Sequence, residues 1–90
     1  MLRHLTQSPV LDLNHAVAVS RADGPAAGLE RLDALAEVDR LQRYPLFDAA
    51  RGDMLERLGR LPKAAAAFDR AAELETNQVL RAVFVRRARP

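Results

Sequence analysis

The sequence has no cysteine and no tryptophan, and only one tyrosine and three phenylalanines among its 90 residues. Without thiols it can form neither a disulfide nor a thiolate metal site, a composition that suits a reducing cytoplasm. It also lacks any apolar run near the roughly 18 residues that mark a membrane span. The opening MLRHLTQSPVLDL carries His4 and Asp12 and holds no sustained apolar stretch, so it does not read as a signal peptide. These absences lead us to expect a soluble, cytoplasmic protein. Glycine is scarce too, at four residues, and β-branched residues are few, which argues against strands.

What is abundant is alanine and leucine, which fill about a third of the chain. Both are strong helix formers, so the expected fold class is all-α. Ninety residues make one domain at most. A domain this short buries only about 60–65% of its unfolded surface, which leaves little stability without a neighbour. The net charge is +2, with a single lysine, Lys63, among fourteen bases. Residues 77–90 carry Arg81, Arg86, Arg87 and Arg89 and no acid, so the rest of the chain is slightly acidic. The basic balance is therefore local and argues only weakly for nucleic acid.

Breaks in the sequence divide it into helices. Ser8 suits an N-cap and Pro9 a first helical position. Val10, Leu13 and Val17, with Ala16 beside them, give a helical stripe that runs to Ala22-Asp23-Gly24. A second helix starts at Pro25, with Leu29, Leu32 and Ala36 as its stripe and Leu35 widening it; the first hairpin spans 8–38. A polar loop follows over 38–44. Pro45 opens a third helix with Phe47, Ala50, Met54 and Leu58 inward, and with Asp53–Arg57 and Glu56–Arg60 as outer i,i+4 pairs. Gly59 ends it and Pro62 restarts the chain. Ala64, Ala67, Phe68, Ala71 and Leu74 form the inner face of the fourth helix, and the second hairpin spans 45–75. Thr76-Asn77 closes that helix and caps a fifth, over 77–89, with Leu80, Val83 and Phe84 as its apolar positions. Short breaks between such helices imply antiparallel neighbours.

No residue pattern announces a chemistry. His4 and His15 are the only histidines and, with Asp12, offer too few convergent ligands for a metal, and His-Glu-x-x-His is absent. Ser8 and Ser20 have no nucleophile-elbow context. The segment DGPAAG (23–28) lacks the Lys-Ser/Thr ending of a phosphate loop and reads as a turn between helices. Asp33, Glu37 and Asp39 lack the alternation and central glycine of a calcium loop. We expect no catalytic residue, no cofactor and no metal. The four C-terminal arginines are candidate phosphate or polymerase contacts, weighed against a solvated face or pairing with the acidic body. Only Phe84 could offer a base a stacking surface there, and periodicity turns it inward, so direct nucleic-acid binding is not favoured.

The stretch DMLERLGRLPKAAAAFDRAAEL (53–74) is the most informative. A Gly59-x-x-Pro62 turn folds one helix back on the other, alanines let them close, and Phe68 supplies bulk. It resembles a tetratricopeptide repeat, with Gly52, Gly59, Ala64, Phe68 and Ala71 on the family's positions. Leu55 stands where a tyrosine is usual, Thr76 where a proline is, and Asp48 and Arg51 replace an aromatic and a leucine. Gly28, Leu32 and Leu35 lie 36 residues before Ala64, Phe68 and Ala71, so the first hairpin looks like a degenerate copy. The resemblance implies two tetratricopeptide-like hairpins plus a C-terminal capping helix. It also implies a partner-binding groove between the first helices of the two hairpins, with Asn14, Arg21, Asp48 and Arg51 as candidate contacts.

Three ordered blocks carry a wider resemblance. SPVLDLNHAVAVSRADGPAAGLERLDAL (8–35), YPLFDAARGDMLERLGR (44–60) and AAAAFDRAAEL (64–74) are together similar to the C-terminal extension of extracytoplasmic-function RNA polymerase sigma factors. His15, Pro45-Leu46, Gly52 and Val79-Leu80 depart from that family's usual residues. The resemblance implies a regulatory interaction module of bacterial transcription initiation, with sigma regions, RNA polymerase or a regulator as partner. The promoter-reading regions would then lie before residue 1. The alternative is a stand-alone tetratricopeptide-like adaptor that binds a partner protein or associates with itself. An enzyme is not expected, because no pair of titratable groups is seen to converge.

Overall fold

The computed structural model describes residues 9–36 and 43–89, Pro9 and Val10 by backbone alone. These residues form five helices and no strand: α1 (Pro9–Asp23), α2 (Pro25–Ala34), α3 (Pro45–Arg57), α4 (Leu61–Leu74) and α5 (Gln78–Ala88). The fold is all-α, two helical hairpins followed by a C-terminal helix. The expected Ser8 cap, the Val10 side chain, His4, Glu37, Asp39 and most of the 38–44 loop lie outside the described residues.

Local chemistry sets each boundary. Prolines occupy the first turns of α2, α3 and α4, where a missing N–H costs nothing. The two hairpin turns rest on left-handed glycines, Gly24 (φ 99°) and Gly59 (φ 78°). At Gly59 the chain closes α3 with a paired C-terminal cap. The Arg60 N–H donates to the Leu55 carbonyl at 2.9 Å, and the Gly59 N–H to that of Glu56 at 3.0 Å. At the head of α5 the Asn77 side chain accepts from the Val79 and Leu80 N–H groups at 2.9 and 3.1 Å, as its sequence position implies.

Each hairpin closes where one helix has no side chain. In α1–α2 a Cβ on Gly28 would meet the Ser20 side chain and stand 2.9 Å from Ser20 Cα. In α3–α4 a Cβ on Gly52 would stand 2.8 Å from the Phe68 ring. Around these approaches lie two contiguous cores. The larger gathers Leu13, Ala16, Leu29, Leu32, Phe47, Met54, Leu55, Ala64 and Ala67 from four helices. The smaller joins Phe68, Ala71 and Ala72 of α4 to Phe84 and Ala88 of α5. Helices adjacent in sequence pack on one another, and α1 also meets α3, so the first helices of the two hairpins lie side by side.

Four sequence expectations need correction. Ala36 lies beyond the end of α2 in an exposed turn, and Leu35 packs against the core in its place. The inner face of α3 is wider than Phe47, Ala50, Met54 and Leu58. Leu55, Gly52 and Asp48 are also buried, because α3 is flanked by α1, α2 and α4. The Asp53–Arg57 pair forms at 3.0 Å, but α3 ends before Arg60, and Glu56 bonds Arg87 instead. In α5 the inner residues are Phe84 and Ala88, whereas Leu80 and Val83 are 41% and 40% exposed. The α4 surface beneath α5 is Phe68, Ala71 and Ala72, and it covers only a narrow strip.

Candidate functional site

The parallel packing of α1 beside α3 leaves a groove along their seam. Its first half is lined by Leu13, Asn14, Val17, Leu46, Ala49 and Ala50, and is largely apolar. Further along, Ser20 and Arg21 of α1 face Asp53 and Arg57 of α3, so this half is charged. The lining residues recur every three or four positions on both helices, as one face of a helix requires. Leu13, Asn14, Val17 and Arg21 find their counterparts 36 residues later at Ala49, Ala50, Asp53 and Arg57. The repeat offset already visible in the second helices could therefore have located the α3 lining, which residue-by-residue reading missed.

The four candidate groove contacts separate into two pairs. Asn14 and Arg21 are exposed and line the groove. Asp48 and Arg51 do not; they sit on the sides of α3 that face α4 and α2. The Arg51 Nε donates to Asp33 Oδ1 of α2 at 3.0 Å, which ties the hairpins together. Asp48 is buried, and its Oδ2 stands 3.5 Å from the Arg70 Nε of α4 without a hydrogen bond. Burial pushes the Asp48 carboxyl above the usual carboxylate range, with Arg70 and then Arg51 pulling it partly back.

The C-terminal arginines separate as well. Arg87 turns inward, with its guanidinium 4.6 Å from the Phe68 ring centroid. It also donates to Glu56 Oε1 at 2.6 Å and Asp53 Oδ1 at 3.1 Å. Those bonds, that to Glu56 foremost, hold it yet more firmly protonated. Arg87 is thus occupied within the fold and is removed from the candidate phosphate contacts. Arg81, Arg86 and Arg89 instead line the outer face of α5, and none makes an ion pair among the described residues. Gly52, Ala64, Phe68 and Ala71 are buried where α3 and α5 meet α4, and Gly59 sits exposed at the turn.

Among the described residues, no group of His, Cys, Asp and Glu could hold a metal ion, and no helix is long and apolar enough to cross a membrane. Over 76 residues, 84% of its length, the chain is 47% identical to an uncharacterized protein of Rhizobium meliloti (strain 1021). It spans only 18% of that relative. No protein-family model matches the chain, and no solved structure matches it.

Proposed function

We propose that the chain is a protein-interaction module of bacterial transcription initiation, resembling the C-terminal extension of a sigma factor and acting through contacts rather than catalysis. The observation that carries this reading is the coincidence of sequence blocks with structure. The first block builds α1 and α2, the second α3 and the third α4. The first two blocks together line the α1–α3 groove, which neither forms alone. The Rhizobium meliloti relative adds that a similar segment exists as a small part of a much longer chain. A groove apolar along Leu13, Val17, Leu46 and Ala50 and charged at Arg21, Asp53 and Arg57 suits a peptide segment with an apolar end and a charged end. The proposed occupant belongs to the sigma regions, to RNA polymerase or to a regulator of either.

The test is capture of purified sigma regions or core polymerase by the full chain, repeated with Ala50→Glu. We expect capture by the wild type and a loss of at least tenfold in affinity with the variant, while helicity is unchanged. The reading falls if the chain binds neither protein and the DNA preceding it at its native locus encodes no sigma regions.

A further inference from the structure

Helix α5 is not finished by the fold. Phe84 and Ala88 are buried against α4, but Val79, Leu80 and Val83 remain 74%, 41% and 40% exposed. A separate strip of the same helix is formed by Gln78, Arg81, Ala82, Val85, Arg86 and Arg89. These residues follow the i, i+3, i+4, i+7 series of a single helical face. Ala82, which is exposed, and Val85, half-buried against the α4–α5 core, make its low apolar floor, which the strip's three arginines share. At 1.5 Å per residue, Arg81 and Arg86 are about 7.5 Å apart along the axis, and Arg89 follows just past the helix end, at its C-cap in extended backbone.

The contrast within α5 is informative. Arg87 is satisfied by two carboxylates and an aromatic ring, whereas Arg81, Arg86 and Arg89 have no acid opposite them among the described residues. Interaction with the helix dipole accounts in part for Arg86 in the last turn, but not for Arg81 near the start. An apolar floor between unpaired cations is complementary to an amphipathic helix with apolar side chains at i and i+3 or i+4 and carboxylates on both flanks. Nucleic acid fits less well. The floor offers aliphatic groups in place of stacking rings, and the nearby Phe84 is buried.

We infer that the outer face of α5 docks an acidic amphipathic helix of a protein partner, with Ala82 and Val85 taking its apolar residues and Arg81, Arg86 and Arg89 its carboxylates. An occupant running antiparallel to α5 brings its own first turn, where acids are favoured, to Arg86 and Arg89. This face shares no lining residue with the α1–α3 groove, so it goes beyond the proposed function and can fail independently of it.

The probe is a synthetic helical peptide with leucines at i, i+3 and i+7 flanked by glutamates, titrated into the full chain at low salt and followed by amide chemical shifts. A second peptide carries lysine at every glutamate position. We expect saturable binding of the glutamate peptide, with shifts at Gln78, Ala82 and Arg86. Arg81→Glu/Arg86→Glu, with helicity verified by circular dichroism, should weaken it at least tenfold and gain affinity for the lysine peptide. Val79→Ser, on the other exposed strip, should change affinity by less than twofold. Three results would overturn the inference: no saturable binding at low salt, equal binding of both peptides, or shifts confined to the α1–α3 groove. Tighter, Arg81- and Arg86-dependent binding of a short DNA duplex would also overturn it, in favour of a nucleic-acid surface. Capture of sigma regions that Ala50→Glu abolishes, with no peptide binding at α5, would leave the groove reading standing and remove only this one.

Discussion

Phe68 occupies the space that a side chain on Gly52 would fill. A Cβ built on that glycine would approach the ring's Cε2 and Cδ2 to 2.8 and 2.9 Å, distances that real Cβ contacts do not reach. The ring is 1% exposed and carries the Arg87 guanidinium over it. One residue pair therefore sets both the spacing of α3 from α4 and the seat of α5.

Gly52→Ala should destabilise the protein by about 1–3 kcal/mol, the usual range for overpacking a tight contact. The helix propensity gained with alanine offsets less than about 1 kcal/mol of that. Phe68→Leu made in the Gly52→Ala background should cost less than Phe68→Leu in the wild type. Urea unfolding of the four proteins checks this, and strictly additive effects would contradict the contact.

Gly59→Ala tests the backbone alone. No atom lies within 4 Å of where a Cβ would stand, so the cost comes from the positive φ, about 1–2 kcal/mol. Gly59→Asn should recover part of it, because asparagine tolerates the left-handed region. Thermal unfolding of both variants decides whether the turn conformation or some other contact is at stake.

Asp48 gives a pH signature of definite sign. Its folded-state pKa lies above its unfolded one, with burial as the main cause. Between those two values the folded protein holds more protons than the unfolded chain. Its contribution to stability is therefore present in acid, falls as pH rises through that window, and stays lost above it. Asp48→Asn should be at least as stable as the wild type at pH 7, and its advantage should shrink as pH falls toward the ordinary carboxylate range. The comparison is urea unfolding from pH 4 to 7. A variant less stable at pH 7 would mean that the pull of Arg70 and Arg51 outweighs the burial.

Arg87→Ala should release α5. The cation–π contact contributes about 0.5–1 kcal/mol at a partly exposed site, and the two carboxylate bonds add a similar small amount each. Hydrogen exchange should rise in α5 before α1–α3 changes. Arg87→Lys should recover only part of the loss, since a point charge neither stacks flat on Phe68 nor forks between Asp53 and Glu56.

The sequence told most where one residue type has one use. Pro25, Pro45 and Pro62, the turn glycines and the Asn77 cap placed the described boundaries after α1 to within a residue or two, except the end of α2, which stops at Ala34, well before the loop expected from 38. It told less where a residue serves either side of a helix. Ala16 is buried, while Ala18 and Ala22 of the same helix are exposed, so alanine periodicity cannot orient α1. Asp48 and Arg51 look like surface charges in one dimension. Only the flanking of α3 by α2 and α4 turns them into ties within the fold. The groove residues Asp53 and Arg57 were legible in principle through the 36-residue offset from Val17 and Arg21. The inward turn of Arg87 was not, because it depends on Phe68, nineteen positions away and in another helix.

The near-serial packing of the helices has a kinetic consequence. Almost every contact joins a helix to its successor, and the principal dimensions are 43 × 29 × 19 Å. Structure can then nucleate at the α3–α4 turn and spread outward with little loop-closure penalty, as in short-range topologies that fold within milliseconds. The same order runs in reverse on unfolding. Amide protection should be greatest in α3 and α4 and decline toward both ends, so α1 and α5, which hold the groove's one wall and the arginine strip, are the helices that open at least cost.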